Sequence, residues 1–329
     1  MNDNGGLVRQ RERPARSSRY ELLVKIGSGA TATVYVARRS AATSGSSQFS
    51  RLVAVKRAHP HLVDDAAARR TLLEEARMAS GIHHANVAAV QDLEESEDDL
   101  LLVMDYVEGG SLAELLEADT KTPLPPAVAV RIVLDVAAGL SAVHEWVGDD
   151  GSPLGLLHRD VSPQNVLVGI DGTTKLTDFG LARLVHGAES SRTTGQMQGK
   201  AAYVAPEYVD GAPYTVACEV FALGVVLWET VACRRLFRGA NEADTLRRVM
   251  AAEAPPLSKV VPKVGTALDA LLEKALAKSP DRRFPTVRAF LDALQAAARK
   301  NDLMAISSEV GSCVRDRIGP ALEDRKSVV

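Results

Sequence analysis

From Tyr20 onward the apolar positions first form short β-like runs and then, past Gly110, recur at helical spacing. Leu22-Leu23-Val24-Lys25-Ile26, a glycine turn, Val34-Tyr35-Val36-Ala37 and Leu52-Val53-Ala54-Val55-Lys56 predict the strands of an antiparallel meander, with a Ser/Ala-rich loop over 40–50. Residues 66–80 predict a helix, and Leu100-Leu101-Leu102-Val103-Met104 predicts another strand. Beyond Gly109-Gly110 the chain is mainly helical. Residues 127–145 follow Pro125-Pro126, which suits a helix start. Further helices are predicted over 215–232, 242–251, 265–277 and 286–299. The expected class is α+β and bilobal: a small β-rich lobe over about 20–106 and a larger α-helical lobe over about 107–298.

The two ends differ from this body. Residues 1–19 carry Arg9, Arg11, Arg13, Arg16 and Arg19 with almost nothing apolar, which predicts a disordered basic arm. A polyanion-docking role for it stays open. In the tail, 299–329, Val310, Val314, Ile318 and Leu322 recur at near-helical spacing, so one more amphipathic helix is expected. Docking on the large lobe and dimerisation are both open to it.

Composition narrows the classes. Lys+Arg number 39 against 42 Asp+Glu, a formal charge of -3, and aromatics are only 4%. That balance argues against nucleic acid or an anionic membrane as the partner. Three dispersed cysteines, Cys218, Cys233 and Cys313, form neither a disulfide framework nor a zinc pattern. The best apolar run is taken to be 220–228, which ends at Glu229 and falls short of the roughly 20 residues of a membrane span, so no span is expected. No apolar stretch follows the basic residues of the N-terminus, and Met1-Asn2 lacks the glycine of a myristoylation site. A cytoplasmic location is expected.

Gly27-Ser28-Gly29-Ala30-Thr31-Ala32 fits the loose pattern G-x-G-x-x-G/A. A dinucleotide fold would continue into a helix and place an acidic residue about 20 positions on. Here the turn leads into the alternating Thr33-Val34-Tyr35-Val36, and no Asp or Glu occurs between Leu22 and Val63. The other candidate phosphate loop, Gly195-Gln196-Met197-Gln198-Gly199-Lys200, is one residue short and is followed by Ala201 where a hydroxyl belongs. What remains is a glycine hairpin whose backbone can come close to phosphates.

Four further segments complete a pattern. Val53-Ala54-Val55-Lys56 places an ammonium beside the hairpin. His158-Arg159-Asp160-Val161-Ser162-Pro163-Gln164-Asn165 supplies a carboxylate and a carboxamide, Asp178-Phe179-Gly180 a second carboxylate, and Ala205-Pro206-Glu207 closes the set. With these in this order, the sequence resembles the eukaryotic-type protein kinases over roughly 20–298, and its His158 to Asn165 run is similar to that of bacterial members. The resemblance implies an ATP- and magnesium-dependent serine/threonine kinase acting on protein hydroxyls, with self-association in trans-autophosphorylation left open. It implies that Lys56 holds the phosphates, that Asn165 and Asp178 hold magnesium, and that Asp160 is the catalytic base. Ile26, Gly27, Ser28, Gly29 and Ala30 would cover the nucleotide. Val34 and Ala54 would lie above the adenine and Leu167 below it, with Met104 behind and Asp105–Val107 as hinge. Lys56 needs a carboxylate partner: of the adjacent Glu74 and Glu75, only Glu75 shares a helical face with inward residues. Glu207 and Arg283 would form a structural pair.

Several positions depart from the family pattern. Ser162 stands where serine/threonine kinases carry Lys, and Lys200 where they carry Thr. Since those two positions meet in the family, an exchange is expected in which Lys200 restores the ammonium; a plain surface lysine is the alternative. Glu219 replaces the usual Asp behind the catalytic loop, and its longer side chain is expected to loosen that loop. Ser190, Ser191, Thr193 and Thr194 are either phosphosites or ordinary hydrophilic loop residues. A nucleotide-binding scaffold without phosphotransfer is the alternative function.

Overall fold

The computed structural model describes residues 19–29, 31–40, 51–97, 99–118, 122–148, 150–178 and 200–327; the side chains of Thr71, Glu75, Met78 and Lys326 lie outside that description. The small lobe is built on a five-stranded antiparallel sheet, in the order β1 (Tyr20–Ser28), β2 (Ala32–Arg39), β3 (Leu52–Ala58), β5 (Leu100–Asp105), β4 (Val90–Glu95). Alternation along the strands sorts their apolar residues by face. Ala37, Val53, Val55, Leu101 and Val103 form one cluster, whereas Ala54, Leu102 and Met104 pack with Ala76 on the other side. Ala76 belongs to helix α2 (Ala66–Ser80), which follows the short α1 (Pro60–Val63) and turns Ala68, Leu72 and Ala76 inward. Strand β4 escapes the sequence pattern because it is an edge strand: Gln91, Asp92, Glu94 and Glu95 interrupt its apolar positions.

The large lobe comprises α3 (Leu112–Ala118), α4 (Pro126–His144), α5 (Pro206–Val209), α6 (Val216–Ala232), α7 (Glu242–Ala251), α8 (Leu257–Val260), α9 (Ala267–Ala275), α10 (Val287–Lys300) and α11 (Ser307–Lys326). A three-stranded sheet, β6 (Gly109–Ser111), β7 (Val166–Gly169) and β8 (Thr174–Leu176), sits on the side facing the small lobe. Its strands are only three or four residues long, too short to leave a periodic signal in the sequence. Asn241 and Thr286 cap α7 and α10 through side-chain oxygens that accept Asp244 N and Ala289 N. Helix α6 is buried from Cys218 to Ala232 and forms the axis of the core.

Among the described residues one helix, α4, is long and apolar enough to cross a membrane by length and composition, with a mean hydropathy of 1.7 over its most apolar 18 residues. In the fold it is a core helix, with 67% of that stretch buried. Its opposite charges, Arg131 and Asp135, pair one turn apart at 3.0 Å.

Candidate active site

The segment between α4 and β7 is positioned by backbone contacts made by fully buried side chains. His158 has no exposed surface; its Nε2 donates to Thr177 O at 2.9 Å and its Nδ1 accepts Asp160 N at 3.2 Å. Accepting at Nδ1 requires the neutral ring, and burial pushes the imidazole pKa down, against the pull of Glu219 and Asp160. Asn165 donates its Nδ2 to Asp160 O at 2.8 Å, leaving its Oδ1 as an acceptor. Arg159 and Asp178 both adopt left-handed backbone conformations, at φ 67° and 63°. Such residues cost about 1–3 kcal/mol each and persist only where the surroundings impose them. Glu219 imposes the first: Oε1 accepts Arg159 N at 2.6 Å and Oε2 pairs with His144 Nε2. The loosening expected from the longer side chain is not seen, because both oxygens of this wholly buried carboxylate are engaged.

Two ion pairs occupy the cleft. Lys56, on β3, reaches Asp178 Oδ1 at 2.8 Å. Burial would raise the Asp178 carboxyl, but the Lys56 ammonium prevails and holds it below the usual range. Lys200 pairs with Oδ2 of Asp160. Ser162, two residues past Asp160, is 1% exposed, and its Oγ has no hydrogen-bond partner among the described residues. Of the two departures from the family pattern, Lys200 thus pairs with Asp160 while Ser162 is buried two residues along the same loop. Asn165 Oδ1 and the second oxygen of Asp178 are unshared among the described residues and are hard donors, a set that fits a hard divalent cation. Glu75 lies on α2, but its side chain falls outside the described ones; the described carboxylate on Lys56 is Asp178. Ala30, Ser190, Ser191, Thr193 and Thr194 lie outside the described residues.

Register brings the apolar residues of the cleft together. Val34 pairs with Lys56 and Ala54 with Met104, and Val34, Ala54 and Met104 pack in one cluster. Leu167 is half-buried on β7 between the buried Val166 and Val168, so alternation turns it away from the large-lobe core. Ile26, Gly27 and Ser28 end β1, and the turn after them is closed by Gly29 N donating to Ala32 O at 2.9 Å. Asp105 accepts Gln91 Nε2 at 2.8 Å and Ala89 N at 3.3 Å and pairs with Lys175 at 3.1 Å. These contacts outweigh its burial and lower its pKa. Val107 runs against Gly169, where a Cβ would meet Val107 Cγ1 at 3.4 Å. Sequence reasoning missed Lys175 and His144: a single cation on a three-residue strand and a histidine at a helix end carry no periodic or motif signal.

Away from the cleft, Arg283 meets Glu207 through both nitrogens, Nη1 to Oε1 at 2.6 Å and Nη2 to Oε2 at 2.7 Å. Its remaining donors go to the carbonyls of Ala277, Ala217 and Lys278. Burial opposes the charge on Glu207, but the Arg283 hydrogen bonds prevail and lower its pKa. Cys218, its thiol pushed up to about 11 mainly by burial, adds a contact at 3.3 Å to the same Oε1.

The family described as protein kinase domain matches residues 20–294. The tyrosine-protein kinase MasK of Myxococcus xanthus is 33% identical over 280 residues, covering 84% of this chain and 42% of that protein. The serine/threonine-protein kinase PrkC of Bacillus subtilis is 31% identical over 270 residues, 82% of this chain and 39% of that protein. The serine/threonine-protein kinase PknL of Mycobacterium tuberculosis is 33% identical over 293 residues, 89% of this chain and 67% of that protein. The chain thus spans about two fifths of the length of the first two relatives. The crystal structure of the Mycobacterium tuberculosis PknI kinase domain superposes with a TM-score of 0.62 at 26% identity, over 85% of this chain and 96% of that one.

Proposed function

This chain belongs to the protein kinase domain family, and we propose that its cleft transfers the γ-phosphate of ATP to serine or threonine hydroxyls of proteins, its own segment between Gly180 and Gly199 among them. One observation carries this reading: Lys56–Asp178 and Lys200–Asp160 meet around Asn165, so two cations and three oxygen-bearing side chains converge between the lobes.

Each residue has a physical task. Asp160 orients the acceptor hydroxyl and takes its proton as the oxygen–phosphorus bond forms and the bond to the β-phosphate oxygen breaks, releasing ADP. His158 and Asn165 fix the backbone on either side of that carboxylate. Lys56 binds the α/β-phosphates. Lys200 supplies positive charge next to the transferring phosphoryl, where charge develops in the transition state. Val34, Ala54 and Leu167 enclose the adenine against Met104, and the backbone of 105–107 reads its edge. Asn165 and Asp178 would hold magnesium, whose chemistry when bound is to neutralise the phosphate oxygens.

Serine and threonine, rather than tyrosine, are proposed on the strength of relatives such as PrkC and PknL; MasK carries a tyrosine-kinase name, so phosphoamino-acid analysis decides the point. A cytoplasmic site of action is proposed, consistent with three free thiols. Self-association in trans is proposed as the route to modification at Ser190, Ser191, Thr193 or Thr194. The test is magnesium-dependent transfer of labelled γ-phosphate to the chain and to a generic protein substrate, with Asp160→Asn as control. Incorporation lost in the variant supports the reading. Incorporation that persists unchanged, or none in the wild type, overturns it.

A further inference from the structure

Helix α11 lies outside the residues matched by the family, yet the kinase body is shaped to receive it. Val310, Val314, Ile318 and Leu322 form one buried stripe that joins the large-lobe core. Gly172 has φ +82°, and a Cβ there would stand 1.8 Å from Ser307 O, so the β7–β8 turn admits the start of α11 only because it carries no side chain. A Cβ on Gly110 would stand 2.7 Å from Ile318 Cδ1, so the helix also packs directly on β6.

The far end of α11 grips the chain just after the hinge. Arg325 Nη1 donates to Gly109 O at 3.2 Å, and its Nη2 pairs with Glu114 Oε1 at 3.0 Å. The other oxygen of Glu114 accepts Ser111 N at 2.7 Å, so Arg325 also completes the reciprocal cap at the start of α3. Strand β6 pairs Gly109 with Gly169 and Ser111 with Leu167. On β7, Val166 and Val168 share the core that α11 fills, while Leu167 faces the other way. The helix therefore backs both the hinge exit and the strand that carries the adenine floor.

We propose that α11 is a positioning element of the nucleotide site, with Arg325 as its anchoring residue. By holding Gly109 and β6 from behind, it keeps the 105–107 backbone and Leu167 in the register that receives the adenine. Its effect falls on nucleotide affinity rather than on phosphoryl transfer. This inference rests on the reading of the cleft as an ATP site.

The test uses the full chain with Arg325→Ala, Arg325→Lys and, as a control on the exposed face of the same helix, Asp324→Ala. Nucleotide binding is measured by titration calorimetry with ADP and magnesium, turnover by steady-state kinetics, and β6 protection by hydrogen exchange at 109–111. Loss of one charge-assisted contact predicts about a three- to fivefold rise in Kd and in KM for ATP, with kcat unchanged. Faster exchange at 109–111 and recovery by Arg325→Lys are expected, with Asp324→Ala like wild type. Unchanged affinity in an Arg325→Ala protein that melts like wild type overturns the proposal, as does unchanged exchange at β6. A wild type that binds no nucleotide removes the underlying reading and this inference together. A wild type that binds, with a variant that binds equally, removes this inference alone.

Discussion

The ammonium of Lys200 rests on Oδ2 of Asp160, across 40 residues of sequence. Asp160 thus gains its cation from the segment leading into Ala205-Pro206-Glu207, while position 162 of its own loop carries a buried hydroxyl with no hydrogen-bond partner among the described residues. On the proposed reading, Lys200 supplies the positive charge near the γ-phosphate that Ser162 does not.

That exchange is testable by reversing it. Lys200→Ala should lower kcat about 100-fold, the scale for removing one group that stabilises developing charge, and should change KM for ATP far less. Lys200→Thr combined with Ser162→Lys should recover a substantial part of the turnover lost in Lys200→Thr alone. Steady-state kinetics of the single and double variants make the comparison. No recovery in a folded double variant would show that the two positions are not equivalent.

Glu219 should matter more to turnover than its distance from substrate suggests. Glu219→Ala removes the carboxylate that accepts the Arg159 amide in its left-handed conformation, at a cost of about 1–3 kcal/mol. Glu219→Gln keeps an acceptor for that amide and should lose less. Urea unfolding together with single-turnover rates would reveal a larger rate defect in Ala than in Gln. Equal rates in the two variants would remove Glu219 from loop positioning.

His158 links stability to pH near neutrality. Its pKa is depressed in the folded protein, so above about pH 6.5 the ring is neutral in both states and contributes no pH dependence. As pH falls below that value the unfolded chain takes up the proton first, and stability declines by up to about 1.4 kcal/mol per pH unit for this one group. Urea midpoints between pH 7.5 and 5.5 (roughly one unit either side of the free pKa) should fall in the wild type and fall less in His158→Asn. Parallel curves would show that other groups carry the dependence.

Arg283→Met should be the most destabilising single change considered, by about 3–5 kcal/mol, because it strands Glu207 beside a buried gap. The depressed pKa of Glu207 means that this pair contributes fully above the carboxyl's unfolded pKa and is lost as pH falls through the folded one. The wild type should therefore lose stability steeply below about pH 4.5, and Arg283→Met should show a flatter acid limb in thermal melts. An equally steep limb in the variant would assign the acid loss elsewhere, with Asp178 as the next carboxylate to vary.

Much of the fold was legible because period and motif are local properties. Helix α2 spans the predicted 66–80, and the helices predicted at 242–251 and 286–299 match to within a residue. Long amphipathic segments declare themselves in this way, whereas the three short strands β6 to β8 do not. Five short segments carried the resemblance in an order that could be read directly, and the family matches residues 20–294. Harder to read were contacts whose partners give each other no sequence signal: Lys175 with Asp105, His144 with Glu219, and Arg325 with Gly109.

The sequence by itself determined which side chains could do chemistry: Lys56, Asp160, Asn165 and Asp178 have types and order that suit phosphate, metal and proton. Only the tertiary structure decided how they are held. It put Lys200 on Asp160, closed both oxygens of Glu219, and folded the tail behind the hinge through a glycine at 172. The reason is physical. A side chain's charge and donor count travel with its identity, but the partner that sets its position is chosen by the packing of segments distant in the chain.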